Sequence, residues 1–199
     1  MSDSQYASGS GSGQKGFQSV LHERLLSSRT IHLFGAVTNE VANRVVSALL
    51  LLDAEDSKKP ITLVQNSPGG SVNDGMAIYD TMRYVQAPVR VLCVGLTASI
   101  ATITLLGADK KDRASLPNTR FLIHQPLIPG NIVGPASDLE ITAQEILKTR
   151  NKINEMLAEE TGQELERVRK DTQRDYWMDA EEALQYGLIS KVVTSAADF

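Results

Sequence analysis

Ser99, His124 and Asp175 supply the side chains that a serine hydrolase needs. A serine hydroxyl is a weak nucleophile at neutral pH, and it becomes effective when a histidine accepts its proton and a carboxylate orients that histidine. Ser99 follows an apolar strand pattern and precedes an apolar helix pattern, which predicts a hydroxyl exposed at a helix N-terminus. These residue types therefore allow acyl transfer through a covalent intermediate.

Taken singly, each of the three residues also fits an ordinary structural role. A serine at the start of a helix typically caps that helix. A histidine at a strand end is more often a surface or core residue, and Asp175 beside Arg174 is typical of a salt-bridged surface acid. His22, in an amphipathic segment, and His32, inside a strand, are interpreted as structural. Spacing alone therefore does not establish a triad.

A glycine-rich turn at residues 66–71 follows the preceding predicted strand. It lies at the carboxyl end of the sheet, where ligands bind in folds of this kind. The oxyanion formed in acyl transfer needs positioned N–H donors. The helix that opens at Ile100 supplies one donor, and the Gly70 N–H is our candidate for the second. A Pro-Gly-Gly sequence on its own is more often only a turn.

Composition restricts the function further. The chain has 199 residues, of which 42% are hydrophobic, enough for one domain with a buried core. Its net charge of −4 gives no general attraction to nucleic acid or to an anionic membrane. The single cysteine, Cys93, excludes an internal disulfide and predicts a buried, reduced thiol, so we expect a cytoplasmic protein. No metal-ligand cluster or phosphate-binding loop is present, so no cofactor is expected.

Predicted strands and helices alternate along most of the chain. The strands are residues 30–34, 61–65, 89–94 and 121–124, and the helices are residues 40–53, 73–85 and 99–106. This alternation predicts an α/β fold with parallel strands joined by right-handed crossovers. Thr97 and Ala101 stand where an α/β-hydrolase nucleophile turn has glycines, so that class is excluded.

The ends of the domain are less regular. Residues 1–16 are rich in Ser and Gly and predict a flexible arm before a domain at residues 17–199. Residues 127–135 predict an irregular or edge segment. A long projecting helix is predicted over residues 137–161, where Ser137 and Glu140 have capping-box spacing. Two short helices are predicted from the pairs Thr161 with Glu164 and Asp179 with Glu182, followed by a strand at residues 189–193.

A series of short motifs resembles the ClpP family, the proteolytic subunits of ATP-dependent Clp proteases. The motifs are residues 66–72, 78–82, 98–99, 116–118, 123–126, 171–175 and 182–188, in order across about residues 17–194. The resemblance implies a ClpP/crotonase-like fold whose handle, at about residues 125–161, interlocks two heptameric rings. It further implies a serine endopeptidase that cleaves unfolded polypeptides inside this barrel, fed by an AAA+ Clp unfoldase that uses the ATP.

The resemblance also implies residue roles. Carried over by position, Ser99 is the nucleophile, His124 the base, Asp175 the acid, Gly70 and Ile100 the oxyanion donors, and Arg174 a member of ion pairs between rings. The family usually has Ala at Thr97, and Met followed by Gly or Ala at Ile100 and Ala101. We therefore expect a narrower substrate pocket beside the nucleophile.

Two further departures concern assembly. The segment after the His124 motif is about two residues longer than is usual and contains Pro129 and Pro135, which lack an N–H, so contact between rings is expected to change. Aromatic residues of the unfoldase docking pocket are replaced by Thr62, Val64 and Ala114, which leaves Tyr84 as the large ring. Aromatic anchors dominate such docking energies, so docking should be weaker. We infer a paralogue in a mixed barrel whose second ClpP-type subunit docks the unfoldase.

Two alternatives stay open. The chain could be an assembly-activated or largely structural subunit whose triad becomes aligned only in a hetero-oligomer with a paralogue. It could also be a crotonase-type acyl-CoA enzyme, since that fold places backbone N–H pairs around a thioester oxyanion. The second alternative does not need the set of Ser99, His124 and Asp175.

Overall fold

The computed structural model describes residues 11–127 and 133–199. Its strands are β1 (Thr30–Phe34), β2 (Ile61–Ser67), β3 (Val89–Ala98), β4 (Arg113–Ser115), β5 (Arg120–Ile123), β6 (Tyr176–Met178) and β7 (Lys191–Val192). Its helices are α1 (Gly11–Ser27), α2 (Asn39–Glu55), α3 (Val72–Tyr84), α4 (Ile100–Leu105), α5 (Ala136–Thr161), α6 (Leu165–Asp171) and α7 (Ala180–Tyr186). Among the described residues, no helix is both long enough and apolar enough to cross a membrane.

One sheet contains all seven strands. Its main path runs β1-β2-β3-β4-β7 with parallel pairing throughout. The last residues of β3 leave β4 and pair with β5, also in parallel, and β6 pairs antiparallel with β5. The mostly parallel sheet and its connecting helices confirm the predicted α/β, ClpP-like fold.

The core lies on one face of this sheet. Buried and half-buried residues alternate along β2 and the first half of β3, as expected for strands with one face packed and one face open. Leu63 and Val91 on the packed face join Leu49 of α2 and Ile78 of α3 in one apolar cluster. Burying a side chain of this size contributes roughly 1.5–3 kcal/mol. This packing holds the carboxyl ends of β2 and β3 side by side.

Strands β4 and β6 were absent from the sequence prediction. The side chain of Arg113 in β4 is fully buried, which is unusual for a charged residue. Its guanidinium donates to the carbonyl oxygens of Ala108 and Leu106 and pairs with the Glu160 carboxylate. The two carbonyls are five and seven residues away, but Glu160 is 47 residues away in α5, so a local sequence pattern could not reveal this ion pair.

Helix α5 begins earlier than predicted and without the predicted cap. Pro135 is its N-cap and makes no side-chain capping bond. Since the helix already includes residue 136, Ser137 lies inside its first turn, and the Ser137 hydroxyl donates to Asp138 instead. The predicted capping box of Ser137 and Glu140 is therefore wrong.

The two other predicted capping boxes have different outcomes. Thr161 is the last residue of α5, and its hydroxyl donates to the Leu157 carbonyl, so it does not cap the next helix. The N-cap of α6 is Glu164, and the predicted pair of Thr161 with Glu164 is wrong. The capping box of Asp179 with Glu182 is confirmed.

Only the last part of α5 is anchored in the core. Its buried residues are Ile153, Asn154, Leu157 and Thr161, all in the C-terminal third. The apolar side chains of Leu139, Ile141 and Leu147 are exposed. At about 1.5 Å per residue the helix is roughly 39 Å long, so most of it projects from the body as the predicted handle.

Two predictions fall partly outside the described residues. Residues 1–10 of the predicted flexible arm lie outside them, whereas residues 11–16 belong to helix α1. Residues 128–132, which include Pro129, also lie outside them. The flanking residues 127 and 133–135 are irregular, as predicted.

Candidate active site

Ser99 and His124 lie in direct contact. The His124 Nε2 and Ser99 Oγ atoms are 2.7 Å apart, a hydrogen bond in which the imidazole can accept the hydroxyl proton. Ser99 has a φ of +58°, a conformation that few non-glycine residues adopt. Ser99 occupies the N-cap position of α4, but its side chain makes no capping bond to that helix. The hydroxyl instead faces the histidine.

Backbone pairing explains this placement. Ala98 at the end of β3 pairs with Leu122 of β5, and the Ser99 N–H donates to the Leu122 carbonyl at 2.9 Å. His124 follows directly after β5, so both side chains emerge at the same edge of the sheet. On the α4 side, the Thr102 hydroxyl donates to the Ser99 carbonyl at 2.6 Å. The serine is therefore held from both sides.

Asp175 lies on the other side of the imidazole. Its Oδ1 is 3.6 Å from His124 Nδ1, which is ion-pair distance but too long for a hydrogen bond. The Asp175 side chain is 65% exposed, whereas that of His124 is 13% exposed. Pairing of Ile123 with Tyr176 and a hydrogen bond from the Gln125 N–H to the Thr172 carbonyl bring the two segments together. The structure thus brings all three predicted residues together, with a loose contact to the acid.

The glycine-rich turn after β2 packs against the serine turn. A Cβ atom on Gly69 would lie 2.6 Å from Ser99 Cβ and 3.2 Å from the Ile100 nitrogen, so only glycine permits this approach. Hydrogen bonds of 2.8 and 2.9 Å between this turn and Val37 hold it in place. Within the described residues, no hydrogen bond uses the N–H of Gly70 or of Ile100. Ile100 follows Ser99 in the chain and Gly70 follows Gly69, so both N–H groups stay candidates for the oxyanion donors.

A buried polar network centred on Gln65 of β2 supports α4. Gln65 Nε2 donates to the Ala101 carbonyl at 2.9 Å and to the Thr97 hydroxyl at 3.3 Å, and its Oε1 accepts from the Thr104 hydroxyl at 2.7 Å. Gln65, Thr97 and Thr104 are fully buried. This network gives the unusual Thr97 a partner. Sequence reasoning missed Gln65, although a glutamine at the end of an apolar strand pattern was a usable signal.

The residues interpreted as structural lie away from the triad. His32 stacks on Phe34 with ring centroids 5.0 Å apart. Burial, with a smaller effect of the Arg44 charge, lowers the pKa of His32. Cys93 is a buried free thiol, as predicted, and burial raises its pKa to about 12. These side chains have no part in the site around Ser99.

The predicted assembly and docking residues lie on other surfaces. Arg174 is exposed beside the acid. Thr62 and Val64 are half-buried on the open face of β2, and Tyr84 at the end of α3 is 79% exposed. Ala114 is fully buried, so it does not present its side chain to a partner in the single chain.

Part of the open face is covered by the chain itself. The Phe199 ring centroid lies 4.5 Å from the guanidinium of Arg90 in β3 and 5.5 Å from the ammonium of Lys191 in β7. These two strands flank β4, which carries Ala114. The contact with Phe199 therefore lies close to one of the predicted docking positions.

One comparison with known proteins bears on this site. A family model described as Clp protease matches residues 13–196. The matched segment includes Ser99, His124 and Asp175, the glycine turn and the projecting helix. The family assignment and the geometry of the site therefore concern the same part of the chain.

Proposed function

The chain belongs to the Clp protease family, and we propose that it is a serine endopeptidase that acts on unfolded polypeptides through an acyl-enzyme. The observation that carries the proposal is the 2.7 Å hydrogen bond between Ser99 Oγ and His124 Nε2. The family match supports a ClpP-like peptidase. Crotonase-type acyl-CoA chemistry would have no need of that hydrogen bond, so we do not adopt it.

In the first half of the reaction Ser99 Oγ attacks the peptide carbonyl carbon while His124 Nε2 accepts the hydroxyl proton. The resulting oxyanion receives hydrogen bonds from the Gly70 and Ile100 N–H groups. The carbon–nitrogen bond then breaks, and His124 returns the proton to the leaving amine. Asp175 stabilises the positively charged imidazole through Nδ1. The products are a free amine and an ester on Ser99.

In the second half a water molecule attacks the ester carbonyl. His124 accepts one proton from this water, and the same two N–H groups bind the second oxyanion. The bond to Ser99 Oγ breaks, and His124 returns the proton to the serine. A carboxylic acid leaves and the site is restored. No cofactor takes part in this scheme.

We propose that the subunit works in a barrel of two heptameric rings. The exposed apolar side chains of Leu139, Ile141 and Leu147 on α5 support this, because such surfaces typically mark protein–protein contacts. An AAA+ Clp unfoldase would supply unfolded chains and use the ATP. The lack of aromatic residues at Thr62 and Val64, on the open face of β2, supports a mixed barrel with a second ClpP-type subunit. The buried, reduced Cys93 supports a cytoplasmic location.

Peptide hydrolysis by the assembled protein tests the activity. Purified barrels should hydrolyse short fluorogenic peptides without ATP, and Ser99→Ala should remove this activity. A Ser190→Ala variant, which lacks a hydroxyl remote from the site, serves as control and should keep wild-type turnover. Wild-type turnover in Ser99→Ala would show that the proposal is wrong.

A second candidate is a subunit that becomes active only on assembly with a paralogue. The observation in its favour is the 3.6 Å separation of His124 Nδ1 and Asp175 Oδ1, with the carboxylate largely exposed. A partner that covers Asp175 and moves it closer by less than 1 Å would complete the triad.

Comparison of two assemblies separates the candidates. Homo-oligomers that hydrolyse peptides support the first candidate. Inactive homo-oligomers, together with Ser99-dependent hydrolysis after a paralogous subunit is added, support the second. Hydrolysis in the mixture that persists with Ser99→Ala would assign the activity to the paralogue alone.

A further inference from the structure

An apolar cleft opens beside Ser99 and His124, and it is small. Its apolar walls are Ile100 and Ile103 of α4, Ile123 of β5, Ile153 and Leu157 of α5, and Val72 and Pro126. The cavity volume is about 20 Å³. Such a volume holds about one water molecule.

The position of the cleft determines what it binds. Since Ser99 Oγ attacks the peptide carbonyl, the side chain of the residue that carries this carbonyl lies next to Ser99. The cleft is the apolar space at that point, and it also borders His124. Its size therefore limits which residue can precede the bond that is cut.

The residues that line the cleft cannot easily move to enlarge it. Ile103, Ile123, Ile153 and Leu157 are each at most 6% exposed, so each packs against other core residues. Four of the walls are isoleucines, whose branched Cβ restricts rotation about χ1. Forcing extra methylene groups into a packed site displaces side chains from their preferred rotamers and destabilises the protein.

Two contacts outside the cleft hold its lining residues in place. The Ile100 side chain occupies the notch left by Gly75 of α3, where even a Cβ atom would meet Ile100 Cγ1. The end of α5, which carries Ile153 and Leu157, is tied to the body by the ion pair of Glu160 with the buried Arg113. Widening the cleft would therefore require movement of α4 or α5 against buried partners.

We propose that this cleft is a subsite for small side chains, so that the chain cleaves after alanine-sized residues and discriminates against leucine and phenylalanine. The proposal rests on the proposed peptidase function and names its substrate class. It assigns specificity to Ile103, Ile153 and Leu157, three buried apolar residues that line the cleft.

The proposal is tested on the wild-type assembly with four fluorogenic peptides. They differ only in the residue before the cleaved bond. With Ala, Val, Leu or Phe at that position, kcat/KM should be highest for Ala and at least about tenfold lower for Leu. Equal or faster cleavage after Leu would overturn the proposal.

Substitutions that enlarge the cleft test which residues limit the size of the side chain it accepts. Leu157→Ala should raise kcat/KM for the Leu peptide relative to the Ala peptide by about tenfold. Leu49→Ala removes an equally buried leucine from α2 and should leave the preference unchanged. Because a buried Leu→Ala change can prevent folding, Ile153→Val, with Ile61→Val as its control, provides a milder test. It should shift the preference in the same direction by a smaller factor.

The two proposals fail in different ways. Hydrolysis that depends on Ser99 but favours Leu would overturn the subsite and leave the peptidase function intact. Both the peptidase function and the subsite would be overturned if no assembly hydrolysed peptides and if neither the alanyl nor the leucyl phosphonate labelled Ser99. Faster labelling by the alanyl phosphonate than by the leucyl phosphonate would support the subsite without any turnover.

Discussion

At the scale of single residues, the site depends on a serine whose backbone is held in an unfavourable conformation. The positive φ of Ser99 is stabilised by its N–H bond to Leu122 and by the Thr102 hydroxyl bond to its carbonyl. The types of the three candidate catalytic residues were predictable from the sequence. The φ of Ser99 was not, because it depends on contacts with Leu122 and Gly69, which are distant in the chain.

Gly69→Ala tests this packing. Its new methyl group would lie 2.6 Å from Ser99 Cβ, so we expect at least about a hundredfold loss of kcat through displacement of the nucleophile and the Ile100 donor. Gly162→Ala is the matched control, because Gly162 also has a positive φ, +78°, but has nothing within 4 Å of a new Cβ. It should lower stability and keep the activity of the folded protein. Equal kcat in the two variants would contradict this account.

The thiol of Cys93 offers a test of burial. Since burial raises its pKa to about 12, the thiol stays protonated in the folded protein at pH 8 and the reactive thiolate is absent. Iodoacetamide should therefore modify Cys93 slowly in the native protein and rapidly in urea, as measured by intact mass. Equal rates in the two conditions would show that the strand around Cys93 is open.

At the scale of elements, sequence periodicity predicted the βα alternation well, but not the contacts that depend on distant segments. Strand β3 continues beyond the predicted end at residue 94 because its last residues find a second partner in β5. Strand β6 forms only because β5 is available to pair with it. Helix α5 starts at a proline cap, whereas the pattern had favoured the serine.

Gln65→Leu tests the network under α4. The change leaves the Ala101 carbonyl and two buried threonine hydroxyls with fewer partners, which should cost about 1–3 kcal/mol and lower the melting temperature. Gln163→Leu is the control, since that side chain also donates to a carbonyl, of Tyr186, but is only partly buried. Thermal unfolding of both variants measures the difference. A larger loss for Gln163→Leu would contradict the role given to Gln65.

At the scale of the whole molecule, the chain has a packed body and a projecting helix that the body does not cover. The single chain leaves Leu139, Ile141 and Leu147 exposed and the contact of Asp175 with His124 loose. Both features are explained if neighbouring subunits cover α5 and hold Asp175 closer to His124. The sequence indicated this assembly through the family resemblance, since periodicity alone does not reveal a ring.

Ile141→Asp tests the assembly. Ile141 is 60% exposed, so the change should leave the fold intact but place a charge in the proposed contact between rings. Native mass spectrometry should show two-ring particles for the wild-type protein and single rings or smaller species for the variant. Ser137→Asp, an exposed change in the first turn of the same helix, should keep the wild-type mass. Two-ring particles in Ile141→Asp would show that α5 does not join the rings in this way.

The central claim is that Ser99 is a nucleophile activated by His124. The most direct measurement is the intact mass of the assembled protein after treatment with a serine-directed fluorophosphonate, followed by mapping of the adduct. We predict one adduct per chain on Ser99, and none in Ser99→Ala or His124→Ala. An adduct on another residue, or equal labelling of Ser99 when His124 is replaced, would contradict the account.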